Sequence, residues 1–180
     1  MKKYSILLVM ALIFAIGQSF AQVFKTSTGE VSFISKTDFE SFEAVNNQVS
    51  AAYSKGKLQF RVPINSFIFE KKLMQTHFQE NYMESAKFPN ASFKGSIISP
   101  EDFKISSKEQ PVTVKGTLNI HGVDKESEIV GTIQNTPDGV VLKANFTIIL
   151  SDYQIGVPSN LTAKISQNID IKVNALLLSK

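Results

Sequence analysis

The chain has no cysteine and no tryptophan, and Arg61 is the single arginine among its 180 residues. Without cysteine there is no disulfide, no thiolate metal ligand and no cysteine nucleophile, so the folded state must rest on buried apolar surface. Histidine is also scarce. His77 and His121 are the only two, which excludes a multi-histidine metal centre. Glu80, Glu84 and Asp124 lie near them in sequence but form no recognised metal spacing, so no metal is expected. The plainer reading puts His77 in a hydrogen bond at a helix and His121 in a turn. No serine sits in a nucleophile-elbow pattern and no glycine-rich phosphate loop occurs. An enzyme would have to work with His77, Glu80 or Tyr153, and no third group orients a base. The reading is therefore a non-enzyme without cofactor.

Positive charge is mostly scattered lysine. Lys2 and Lys3 precede an apolar run from Ile6 to Ile16, followed by Ser19-Phe20-Ala21 ahead of Gln22. That is the pattern of a secretory signal peptide, with cleavage expected after Ala21. The run is shorter than the roughly 20 residues of a membrane-spanning helix, and Gly17-Gln18 breaks it. A lipoprotein would need a cysteine after the cleavage site. Residues 22–180 are therefore expected as one domain, periplasmic or secreted, with no integral membrane segment. Taking 21 residues from 180 leaves 159, enough for a sizeable core. Losing Lys2 and Lys3 lowers the formal charge from +3 to +1, which gives no reason to expect a nucleic-acid partner.

Phenylalanine is abundant, at 14 residues, and much of it falls in alternating patterns. Leu58, Phe60, Val62 and Ile64 share one parity, with Gln59, Arg61 and Pro63 on the other, as in a half-buried strand. The same alternation runs through Val112 to Ile120 and through Ile165 to Ala175. From Val140 to Leu150 the even positions are apolar, and Val141 and Ile149 are too, which predicts partial cover on the outer face. Turn signals stand at Lys55-Gly56 and Pro137-Asp138-Gly139. Eight strands are predicted, near 29–35, 45–54, 56–65, 90–98, 110–120, 126–134, 138–150 and 165–176. Such strands hide their dry faces by stacking two sheets or by closing into a barrel, and periodicity does not choose between these.

One segment breaks the pattern. Met74, Phe78 and Tyr82 recur every four residues, with Leu73 and His77 beside them, predicting a helix over 70–84 between the third and fourth strands. Pro89 ends it, and Ala91, Phe93, Gly95 and Ile97 resume strand alternation.

This segment, with His77-Phe78, Tyr82-Met83 and Phe88-Pro89-Asn90-Ala91-Ser92-Phe93, resembles the signature of the YceI-like family of bacterial envelope proteins. Two further blocks are similar, Val114 to Val123 with its two glycines and Asp152-Tyr153-Gln154-Ile155-Gly156-Val157-Pro158. The resemblance implies an all-β fold, an eight-stranded antiparallel lipocalin-like barrel with one short helix. It also implies that the barrel holds a polyisoprenoid or another long apolar molecule as its ligand. Inward positions then become candidates for the cavity wall: Phe33, Phe60, Phe93, Leu118 and Phe146 from strands, Met74, Phe78 and Tyr82 from the helix, and Tyr153 from the loop over 152–164. The same residues would suit a solid core, and the alternative is an envelope stress or interaction protein that works through its outer surface.

Overall fold

The computed structural model describes residues 22–98 and 103–179. The expected signal peptide lies outside them. Nine strands run through the described residues: β1 (Phe24–Lys36), β2 (Ser41–Ser54), β3 (Lys57–Pro63), β4 (Ile68–Phe69), β5 (Asn90–Ile98), β6 (Gln110–Ile120), β7 (Val123–Thr136), β8 (Gly139–Ile149) and β9 (Asn168–Ser179). Every pairing is antiparallel. The order β1-β9-β8-β7-β6-β5-β3-β2 returns to β1 through the β1–β2 ladder, so eight long strands close into a barrel. Closure removes most of the sheet edge that an open sheet of this size would leave unpaired.

The predicted alternation is what allows closure. Along β9, Ile169, Ala175 and Leu177 are buried and Ile171 and Val173 half-buried, while Asp170, Lys172 and Asn174 face solvent. Two hairpins turn on consecutive residues of positive φ, Lys55-Gly56 (48° and 77°) and His121-Gly122 (54° and 76°), as two-residue connections between twisted strands require. Gly116 stands opposite Gly95 where β5 and β6 approach closely. A Cβ at Gly116 would run into the Lys94 carbonyl.

Five details depart from the sequence reading. A ninth strand, the two-residue β4, pairs with β2 through Ala44–Phe69 and Val45–Ile68. β1 begins at Phe24 rather than 29, carried past bulges between Thr26 and Val31. β9 starts at Asn168, leaving Ile165 in the preceding loop. Ile149, expected to be covered, is 44% exposed. The helix is also shorter than 70–84 and changes pitch. α1 (Lys72–His77) widens into a π turn over Phe78–Tyr82 and stops where Glu84 takes a positive φ of 41°. The wider turn replaces the interval of four with one of five, so Met83 is buried while Tyr82 is only half-buried. Leu73, on the outer side, is 67% exposed.

The two ends of the barrel differ. At the end with the β2–β3 and β7–β8 hairpins, Val49, Ile133, Val140 and Leu177 are at most 1% exposed and pack with Tyr53 and Ala175 into a filled plug. Fully burying an aliphatic side chain contributes about 1.5–3 kcal/mol, so this plug is a main source of stability. The opposite end carries the β1–β2 turn, residues 64–89, the β6–β7 turn and the loop over 150–167.

Candidate ligand cavity

Beneath those connections the barrel is hollow. A cavity of about 460 Å³ opens inside it, within the size range of small-molecule sites. Its strand walls include Phe60, Phe93, Leu118 and Phe146, and Met74, Phe78 and Tyr82 close it from α1 and the π turn. Phe33 lines it from β1. Eight of the nine residues singled out from sequence thus face one space.

Tyr153 does not. It is buried at 4% exposure but lies beside β7, within hydrogen-bonding reach of Ser127, with Lys125 Nζ 5.8 Å from its ring centre. Lys125 also pairs with Asp152 at 2.7 Å. The reason for this placement is a seam. β7 and β8 pair only from Gly131–Ala144 to Thr136–Gly139, and the first half of β7 and last part of β8 have no mutual ladder. The turn holding Tyr153 wedges where the two strands part, and the cavity reaches the seam at Gly131, Thr132, Lys143 and Ala144.

Several wall residues were not singled out from the sequence. Phe67 and Phe69 flank Ile68 on one parity, a strand signal only two residues long. Ile155 and Ile165 come from the loop, and Phe42 from the start of β2. Phe33, Phe67 and Phe69 surround Phe78, with ring centres 5.3, 5.5 and 5.1 Å from its own. Offset and edge-on aromatic pairs contribute about 0.5–1.5 kcal/mol each beyond area burial, so this cluster fixes the helical segment across the barrel's end.

The wall is poor in polar groups. Glu40, Lys71, His77 and Lys164 lie at the end of the cavity bounded by the β1–β2 turn, α1 and the loop. Thr37 Oγ1 donates to the Ala163 carbonyl at 2.8 Å, tying that turn to the loop. Inside, Tyr82 is the ionisable phenol, and burial pushes its pKa above the usual 10.0. It therefore stays protonated at neutral pH and offers an O–H donor rather than a base. The buried polar side chains have partners: Asn46 Nδ2 donates to the Pro63 carbonyl at 2.7 Å, and Ser35 Oγ accepts the Ser166 amide at 3.0 Å. Among the described residues no group of three or more His, Asp or Glu is arranged to hold a metal ion, and no helix is long and apolar enough to cross a membrane.

His121 connects three connections above the cavity. Its Nδ1 lies 3.2 Å from the Tyr153 carbonyl, which can only accept, and its Nε2 lies 2.8 Å from Glu84 Oε2. Phe88 packs edge-on against the ring at 4.6 Å. These residues come from the helical segment, the β6–β7 turn and the loop, which are the three blocks of the sequence resemblance brought into contact.

The fold is shared with solved structures. A polyisoprenoid binding domain from Saccharophagus degradans, implicated in plant cell wall breakdown, superposes with a TM-score of 0.76 at 15% identity, covering 89% of this chain and all of that one. BcnA of Burkholderia cenocepacia gives 0.66 at 17% identity, covering 84% and 96%. The YceI protein of Campylobacter jejuni gives 0.57 at 20% identity, covering 71% and 74%. No curated protein sequence matches the chain. The family model described as a YceI-like domain matches residues 15–177, and with nearly the whole chain inside that match, this protein belongs to the YceI-like family.

Proposed function

We propose that this protein is a non-enzymatic carrier, exported through the segment ending at Ala21, that holds an isoprenoid or similar apolar chain inside its barrel. The observation that carries this reading is the apolar cavity of about 460 Å³, filled at one end and bounded by Phe33, Met74 and Phe78 at the other. Moving a chain from water into such a wall gains about 0.8 kcal/mol per methylene, so about ten carbons offset the entropy of holding the molecule. Few polar contacts are needed, which fits a wall of this composition. The Saccharophagus degradans domain, a polyisoprenoid binding domain of the same fold, supports the choice of ligand class.

A carrier needs no reacting group, and the phenol inside the cavity is held protonated. A protein acting only through its outer surface would have no use for this cavity. The test is native mass spectrometry of protein purified without detergent, followed by solvent extraction of what it releases. The expected result is an apolar molecule bound one to one. A protein that neither retains nor takes up any lipid would overturn the reading, and an N-terminus other than Gln22 in exported material would overturn the cleavage site.

A further inference from the structure

The two most exposed large apolar side chains among the described residues are Phe39, at 82%, and Leu73, at 67%. Both stand on connections that border the cavity's opening. Phe39 belongs to the β1–β2 turn, whose next residue, Glu40, lines the cavity. That turn is rigidly built. The Thr37 amide donates to the Glu40 carbonyl at 2.9 Å, and Thr37 Oγ1 accepts the amides of Phe39 and Glu40 at 3.3 and 3.1 Å. Phe39 is thus held out into solvent instead of folding back over the barrel. Leu73 belongs to α1, where Lys71, Met74, His77 and Phe78 line the cavity and Leu73 does not. Because α1 lies across the barrel's end, the side that carries Leu73 is part of the protein's end surface.

We propose that this end of the barrel docks on the surface of a neutral phospholipid bilayer, with Phe39 and Leu73 inserted among the head groups. The proposal rests on the carrier reading and adds the surface at which ligand enters and leaves. Size argues against a protein partner: two such side chains offer roughly 400 Å², half of the roughly 800 Å² that each partner gives to a stable protein interface. Shallow insertion into lipid needs only apolar tips with polar groups around them. Charge argues against an anionic partner. Across residues 36–40, 64–82 and 159–165 four lysines stand against four carboxylates, so this end has no net field to draw an acidic peptide or a nucleic acid. The cavity itself argues for lipid, since its opening between the two tips leads into an apolar interior and a docked barrel exchanges an apolar molecule without exposing it to water.

The test is flotation of the mature chain with phosphatidylcholine vesicles, with and without phosphatidylglycerol, at low and high salt. Binding is expected under all four conditions, because apolar insertion carries it. Phe39→Ser and Leu73→Ser should each weaken it about tenfold. Val130→Ser, which removes a similarly exposed side chain from the wall at β7, should leave it unchanged. Both mouth variants should keep the parent's denaturation midpoint and its affinity in solution for a fluorescent apolar probe, yet take that probe up from vesicles more slowly. A parent that binds the probe in solution but no vesicle would overturn the docking surface and leave the carrier reading standing. Binding confined to vesicles with phosphatidylglycerol and lost at high salt, or unchanged by both mouth substitutions, would overturn it too. So would a concentration-dependent dimer that Phe39→Ser dissolves, which would make a second copy of the chain the occupant. Vesicle binding without uptake of any probe would overturn the carrier reading and leave the docking surface.

Discussion

His121 Nε2 and Glu84 Oε2, 37 residues apart in sequence, meet at 2.8 Å above the barrel's open end. Both residues have positive φ, 54° and 41°, so each sits where the chain reverses and the contact joins two turns. Through Nδ1 the same ring reaches the Tyr153 carbonyl, and the helical segment, the β6–β7 hairpin and the 150–167 loop are held as one cap.

Replacing His121 separates the two roles of that position. His121→Asn keeps a residue that tolerates positive φ and loses the reach to Glu84, so we expect a stability loss of about 1 kcal/mol, typical of a partly exposed hydrogen bond. His121→Val adds a β-branched side chain in a left-handed turn and should cost more, by about 1–2 kcal/mol. Urea denaturation of both variants measures the difference. Equal loss in the two would show that backbone conformation contributes nothing there.

The hollow and filled ends should respond differently to truncation. Leu177 is fully buried in the plug, and Leu177→Ala is expected to cost about 2–5 kcal/mol. Phe60 lines the cavity and already lacks partner atoms on one side, so Phe60→Ala should fall below the 3–5 kcal/mol typical of a packed core phenylalanine. Denaturation midpoints compared at equal slope decide the matter. A Phe60 loss at the full core value would contradict an open cavity in solution.

Phe78 is the centre of the aromatic cap, in contact with Phe33, Phe67 and Phe69. Phe78→Ala should cost about 3 kcal/mol and loosen the cap. Stopped-flow release of a bound apolar dye should be at least several-fold faster in this variant. Release unchanged from the parent would place the exit elsewhere, and the seam beside Thr132 and Lys143 is the alternative route.

Alkaline pH should weaken the fold. Burial raises the pKa of Tyr153, outweighing the lowering effects of Ser127 and Lys125, and burial also raises that of Tyr82. Below the unfolded value near 10.0 both states keep these protons, so the contribution is fully present. As pH rises past 10.0 the unfolded chain releases them first, and the contribution is lost through the folded pKa values. Denaturation midpoints should be flat up to that point and fall beyond it, less steeply in Tyr153→Phe. A midpoint rising above pH 10.0 would contradict the direction of both shifts.

Much of the barrel was legible because a half-buried strand writes its position at every second residue. β5, β6 and β9 declare themselves this way, and the Lys55-Gly56 turn states its own geometry. β4 was not legible, since two residues carry no period and its pairing to Ala44 and Val45 comes from the distant β2. The π turn was hidden for a related reason. The spacing of Met74, Phe78 and Tyr82 fits an ordinary helix, and only packing against the barrel shows that Met83 takes the buried place. Tyr153 was misplaced because its neighbours are set by the seam between β7 and β8, and strand periodicity says nothing about where a ladder stops.

The wet and dry faces, the succession of the eight long strands and the family are all written in local patterning and in three short blocks of residues. That the barrel is hollow at one end and filled at the other emerges only once the strands have closed. Phe60 and Leu177 carry the same apolar signal in sequence, yet one faces open space and the other is fully enclosed. That difference comes from how many side chains converge on each level of the closed barrel, a property of register and closure that no single strand contains.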